Sequence, residues 1–555
     1  MDALLLLAEA RQLGVRLWAD RGRLRFQAAS GVMTPGLQAR LTEHKQALLD
    51  CLAPPRPALC RRDEDALLPL SHAQQRLWFL WRLEGPGAAY NMPMSLRLQG
   101  ALSVPSVLRS LRAVVRRHEA LRTQFIETAD GPLQVVADVE LQVPVLDLSG
   151  LPHEQRQAQL RALVKDNAQT PFDLQQAPLM RACVVREGPH HHVLLLCLHH
   201  IVSDGWSMGV LMREFGALYG AFVDDANAPP LAALPVQYPD FAQWQRSWLQ
   251  GEVLESQTSY WVEQLTGLPT LLELPTDRPR PPHKGYRGGV VRCALPTTLV
   301  AAMDTLAQRH GATLFMGLLA TFQILLSRLS GQTDLAVGTP TAHRTHPDLE
   351  GLIGFFANTL VIRGELDLAA GFDTHLAQVR QRTLGAYEHQ DLPFEHLVDR
   401  INPERNLGYT PLFQASFSLN NATGTLPAWP GMHLEPLDSL ADQAHAKFDL
   451  SLGLQPDGEG GLAATWTYDE ALFEASTVQR WADAYATLLQ SVLHTPQAPV
   501  GALAWMSAAQ RQQLLGFSAP VASALPVDLV HAGFEAQAAQ RPHAIAVSFE
   551  DQQLS

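Results

Sequence analysis

Along the first fifty residues the spacing of apolar positions changes period twice. Leu4, Leu7, Ala8 and Leu13 recur at helical spacing. Val15, Leu17 and Ala19 then alternate with Arg16, Trp18 and Asp20, and beyond Arg21-Gly22 the alternation resumes, with Leu24, Phe26 and Ala28 set against Arg23, Arg25 and Gln27. Two alternating runs about a Gly-containing turn predict a β-hairpin. Thr34-Pro35 offers a cap followed by proline, the usual start of a helix, and Leu37, Leu41, Leu48 and Leu49 line one face of it. Residues 1–52 therefore predict a helix–β-hairpin–helix unit, and the Pro-rich, then charged, residues 53–66 a linker.

From Leu67 to about residue 490 helical and strand patterns alternate densely. Strands are expected over 96–98, 133–136, 183–185 and 193–198, and helices over 106–118, 152–168 and 207–222. A Pro- and Gly-rich break over 270–287 divides this body into halves of similar size, 67–270 and 271–490. Residues 227–234 read as a loop and 491–555 as a second linker-like stretch. The fold class expected is α+β.

The net charge of −13 over 555 residues disfavours nucleic acid and anionic lipid as partners, since both repel an acidic chain. Cys51, Cys60, Cys183, Cys197 and Cys293 form no CxxC pair, which fits reduced thiols in a cytoplasm. The leucine run after Ala3 lacks a basic flank, and no stretch approaches about 18 uninterrupted apolar residues. Neither a signal peptide nor a membrane span is predicted.

The chemistry concentrates at His199-His200-Ile201-Val202-Ser203-Asp204-Gly205. A buried strand ends in two histidines, a short turn follows, and a helix begins with Met208, Leu211, Met212, Phe215, Leu218 and Phe222 on one face. A strand locked in a core delivers its last residue to a fixed place. Imidazole is the side chain suited to proton exchange near neutrality. Asp204 can fix the loop, and Gly205 leaves room for a passing substrate arm. His190, His191 and His192 lie nearby, but consecutive histidines on a strand face opposite ways and converge poorly on one metal ion. Those three are expected in a solvated turn, with no metal site.

HHIVSDGWS resembles the active-site motif of nonribosomal peptide synthetase condensation domains. SHAQQRLWFL from Ser71, RHEALRT from Arg117, YPDFAQW from Tyr238, IGFFANTL from Ile353 and HQDLPFE from His389 resemble that family's other motifs and follow its order. The resemblance implies two chloramphenicol acetyltransferase-like lobes in a V-shaped pseudo-dimer. It also implies amide formation by attack of a carrier-bound amine on an upstream carrier-bound acyl or peptidyl thioester. No cofactor is bound by the chain itself; phosphopantetheine arms of donor and acceptor carrier proteins supply the substrates.

By the same resemblance His200 is the catalytic residue, as base or as positioner of the amine. His199, Asp204 and Gly205 support it, and a backbone N–H near Gly205 is a candidate donor to the oxyanion. Arg344 is the expected partner of Asp204 in a bidentate pair joining the halves. The opening motif with Tyr90-Asn91 is similar to members joining an L-configured donor to an L-acceptor, and His199 stands where heterocyclisation members carry Asp. Residues 1–52 resemble TubC-like N-terminal docking domains. That likeness implies that Arg16, Arg21, Arg23 and Arg25 receive the acidic C-terminal tail of an upstream synthetase. Residues 531–547 resemble the start of an adenylation domain, so the chain is expected to be an excised fragment that does not itself activate amino acids. A non-catalytic recruiting scaffold, or an ester-forming or starter-acylating member, is the alternative.

Overall fold

The computed structural model describes all residues except 1–5, 7–9, 11–14, 21–22, 28–32, 46–47, 49–56, 64–65, 225–230, 402–405, 421–428, 438–443 and 519–528. Contacts divide the chain into two compact units, Met1–Trp505 and Met506–Ser555.

In the N-terminal segment, strands Arg16–Asp20 and Arg23–Gln27 pair antiparallel, with Trp18 opposite Arg25. Thr34 caps helix Pro35–Glu43, its hydroxyl accepting the Leu37 N–H at 3.2 Å. Leu6, Ala10, Val15, Leu37, Leu41 and Leu48 form the core, with Leu17 and Leu24 against it. Phe26, expected inward, is 49% exposed, because a two-stranded sheet has little to cover its far end. Leu4, Leu7, Ala8, Leu13, Ala28 and Leu49 lie outside the described residues.

The expected linker is tied down where it is described. The Pro57 carbonyl accepts from Trp244 Nε1 at 2.7 Å, and Arg62 pairs with Asp240 at 2.6 Å and Glu119 at 2.8 Å.

Two sheets build the main body. The five-stranded sheet runs in the order Met432–Pro436, Asn91–Gly100, His191–His199, Met180–Gly188, Val145–Asp147. The seven-stranded sheet runs Asn358–Glu365, Asp334–Thr341, Ala415–Leu419, Leu450–Pro456, Leu462–Asp469, Arg287–Leu295, Ala444–His445. Strand His191–His199 reads as a continuous apolar run because both its faces are covered. Leu194, Leu196 and Leu198 join the main core of the first lobe, whereas Val193 and Leu195 pack with Leu160 and Val164 of helix His153–Gln169.

Three boundaries differ from expectation. Strand Met432–Pro436 crosses back from the second half and pairs with Asn91–Gly100, with Leu434 opposite Leu98. Trp429 beside it is buried against Phe215 at 4.6 Å and Tyr219 at 5.5 Å. Leu349, Leu352, Ile353 and Phe356 also belong to the first lobe's core, so a cut at 270/271 does not separate two independent lobes. The free edge of Asn91–Gly100 needs a partner, and the crossing strand satisfies it. The C-terminal boundary at 490 also falls later, because Val500 and Leu503 are buried in the second core and Arg328 donates to the Gly501 carbonyl. Finally, His190 lies in the expected turn and His191 is exposed, but His192 is buried on the strand opposite Leu98.

The unit Met506–Ser555 carries helices Ala508–Ser518 and Val530–Gln540 and the hairpin of Val547–Phe549 with Gln552–Leu554. Cys60, Cys183, Cys197 and Cys293 are free thiols, and Cys51 lies outside the described residues. Among the described residues no single helix is long and apolar enough to cross a membrane.

Candidate active site

Strand His191–His199 ends in a 3-10 turn, His200–Val202, and Asp204 then caps helix Gly205–Val223. The two histidines have separate tasks. His199 is buried, its ring edge-on to Phe172 at 6.0 Å, and Nδ1 accepts the Ile201 N–H at 3.1 Å. Burial, then the neighbouring His200 and Arg181, push its pKa down to about 3. It folds the turn as a neutral ring. The His200 N–H donates to the Tyr90 carbonyl at 2.8 Å, and its ring meets Phe355 edge-on at 4.7 Å. Its Nδ1 lies 2.8 Å from the Ser203 carbonyl. A carbonyl can only accept, so Nδ1 carries the proton and Nε2 is left with a free lone pair. Burial, with Lys447 next, lowers the His200 pKa to about 4, against the Ser203 hydrogen bond and the Asp204 charge. The ring is neutral at pH 7.

Asp204 does not touch this ring; it holds the loop. Its Oδ1 accepts from Ser207 N at 2.8 Å, Ser207 Oγ at 2.7 Å and Arg344 Nη2 at 3.2 Å, and its Oδ2 from the N–H groups of Phe356 at 3.0 Å and Ala357 at 3.2 Å. Arg344 and Asp204 thus pair as expected, but through one nitrogen, which corrects the bidentate geometry. The other nitrogen, Nη1, is drawn away by the carbonyls of Leu349 and Leu352, because a guanidinium spreads its donors over whatever acceptors surround it. The guanidinium also stacks over Phe356, 4.1 Å from the ring centre. Both charged groups are buried, and they join residues from either side of the Pro-rich break.

His200 opens on a cavity of about 480 Å³ lined from both halves of the chain. Tyr90, Phe355, Gly338, Phe413 and Lys447 form much of its wall. His343 and Asp391 also line it, His343 Nε2 lying 3.0 Å from Asp391 Oδ1. Gly205 begins the helix, with open space where a Cβ would stand.

Residues 64–515 match the family described as Condensation domain, and residues 5–53 the family described as TubC N-terminal docking domain. The chain belongs to the condensation-domain family. It is 42% identical over 485 residues to a linear gramicidin synthase of Brevibacillus parabrevis, covering 87% of this chain and 6% of that protein. Phosphinothricin tripeptide synthetase PhsC of Streptomyces viridochromogenes is 40% identical over 515 residues, 90% of this chain and 46% of that protein. The chain thus spans less than half the length of either relative. A solved complex of the X-domain and OxyB from teicoplanin biosynthesis aligns with a TM-score of 0.72 at 27% identity, over 82% of this chain and 99% of that one. The two chloramphenicol acetyltransferase-like lobes expected of the fold are those of these condensation domains.

Lys447 and His343 are among the cavity residues that the sequence patterns did not single out. Lys447 is a lone cation in an otherwise buried run, between Ala446 and Leu450. His343 adjoins Arg344 and takes a left-handed backbone with φ of 50°. Of the arginines expected to receive an upstream tail, Arg21 lies outside the described residues. Arg16, Arg23 and Arg25 are placed on the hairpin strands by backbone alone.

Proposed function

We propose that the chain is a condensation unit that forms an amide bond. The amine of a carrier-bound aminoacyl group attacks an upstream carrier-bound acyl or peptidyl thioester beside His200. The observation that carries this reading is the free Nε2 of a neutral imidazole at a cavity lined from both lobes. The chain itself binds no cofactor; the phosphopantetheine arms come with the donor and acceptor carriers.

The lowered His200 pKa favours one of its two roles. An α-ammonium has a pKa near about 8, so an imidazole titrating near 4 is too weak a base to deprotonate it beforehand. His200 instead receives a hydrogen bond from the neutral amine. It takes the proton only as the C–N bond forms and that nitrogen becomes acidic. Asp204, Ser207 and Arg344 hold the turn that aims Nε2, and His199 folds it. The opening motif and His199 support an L-donor, L-acceptor subtype. The domain division proposed is docking domain 1–52, linker 53–66 and condensation lobes ending near 505.

Among the described residues the strands Arg16–Asp20 and Arg23–Gln27 form a two-stranded sheet with a free edge on each strand, which suits addition of an extended acidic tail from an upstream synthetase. Binding of such a peptide should weaken steeply with salt.

A second reading, recruitment without chemistry, is favoured by the teicoplanin X-domain, which was solved in complex with OxyB. The two readings separate in one assay. Donor and acceptor are loaded on their carriers, and the acceptor is weighed by intact-protein mass spectrometry. Amide on the acceptor with the native chain and none with His200→Ala supports the enzyme. No product with either, while both bind carriers, supports the scaffold.

A further inference from the structure

The cavity that His200 lines also carries a cation that the mechanism above does not use. Lys447 reaches from the second lobe until its Nζ stands 5.8 Å from the centre of the Tyr90 ring. The Tyr90 carbonyl is the group that accepts the His200 N–H. Both side chains line the same cavity. The Lys447 side chain is exposed to the cavity space, and desolvation by the surrounding wall, then Arg76, push its pKa down.

Among the described residues Lys447 makes no ion pair, and of the acids near it Asp449, Glu395 and Asp391 are engaged elsewhere, while Glu84 has no ion pair. Asp449, two residues on, is held by Arg280 and Lys284. Glu395 pairs with Arg76, and Asp391 with His343. Glu84, Tyr90, Tyr286 and His445 complete the ionisable lining. An ammonium that faces a cavity without an ion-pair partner is available to an anion that forms there during turnover. The attack supplies one. As the amine nitrogen bonds to the thioester carbon, the C=O electron pair moves onto oxygen. On collapse the C–S bond breaks, and the thiolate takes the proton held by His200.

We propose that Lys447 is the electrostatic partner of His200, a cation lent by the second lobe to stabilise negative charge on the thioester oxygen during attack. The inference rests on the amide-forming reading above. It extends to substrate choice: a carboxylate on an incoming acyl chain near the thioester would compete for the same ammonium.

The test uses the full chain with ¹³C-labelled histidine, the His200 signal being assigned by its loss in His200→Gln. Lys447→Gln removes the charge and Lys447→Arg keeps it. In Lys447→Gln the His200 titration midpoint should rise by about one pH unit, and in Lys447→Arg it should stay near the native value. With loaded carriers, kcat should fall about 10²-fold in Lys447→Gln with the acceptor KM nearly unchanged, and Lys447→Arg should recover most of it. Equal His200 midpoints and equal kcat in the two variants would overturn the proposal. If the native chain forms no amide, the amide reading falls, while the titration still decides whether Lys447 and His200 are electrostatically paired.

Discussion

Asp204→Asn replaces a buried carboxylate by a group of the same shape, and its cost follows from the five hydrogen bonds that carboxylate accepts. An asparagine with its oxygen toward Ser207 and Arg344 turns its NH₂ onto the N–H groups of Phe356 and Ala357, donor against donor. The flipped amide keeps those two and sets its NH₂ against Ser207 and Arg344 instead. Either way at least two hydrogen bonds to a charged acceptor are lost, each worth about 1.5–3 kcal/mol. Arg344, whose pKa burial lowers and Asp204 raises, also loses its counter-charge. Breaking such a pair from one side costs about 3–5 kcal/mol. We expect a loss of that size against a total stability of about 5–15 kcal/mol. Turnover should fall with it, because loop 353–357 carries Phe355 onto the His200 ring. Urea unfolding of Asp204→Asn, Arg344→Met and the double variant measures this. The double variant should be less destabilised than the sum by at least about 1 kcal/mol. A cost below about 1 kcal/mol for Asp204→Asn, or strict additivity, would refute the buried pair as the loop's anchor.

Other perturbations reach the same site differently. Gly354→Ala would set a Cβ 1.9 Å from the Tyr238 ring, whose hydroxyl is bonded to Ser71 and the Phe355 carbonyl. It should cost about 1–3 kcal/mol and slow turnover, and a neutral melting curve would contradict the packing. Burial, then Arg246 and His396, lower the His72 pKa to about 3, and His199 titrates near about 3 as well. Both are depressed below the unfolded value, so their stabilisation is full above about pH 6.5 and is lost as pH falls toward 3. From pH 7 to 5 each should cost about 2 kcal/mol, read from denaturant midpoints; a midpoint unchanged at pH 5 would show that these rings are not held neutral.

The strand, turn and helix around His200 were legible because each is a local pattern. An apolar run, a polar turn and a capping aspartate lie within about one supersecondary unit. The Arg344–Asp204 pair was reached through the family resemblance, but its geometry was not. Competition by the carbonyls of Leu349 and Leu352 depends on a loop whose path no periodicity reports. Strand Met432–Pro436 was invisible for a related reason. Its partner lies more than three hundred residues earlier, and only the free edge of Asn91–Gly100 selects it. Lys447 and His343 were missed because single polar residues gain meaning only from the cavity they face.

The most direct test of the central claim is the single-turnover rate of amide formation between loaded carriers, for the native chain and His200→Gln, with carrier binding measured alongside. A fall of about 10²-fold or more at unchanged carrier affinity is the predicted result, since general acid–base groups contribute on that scale. An undiminished rate in His200→Gln would place the chemistry elsewhere and contradict the account.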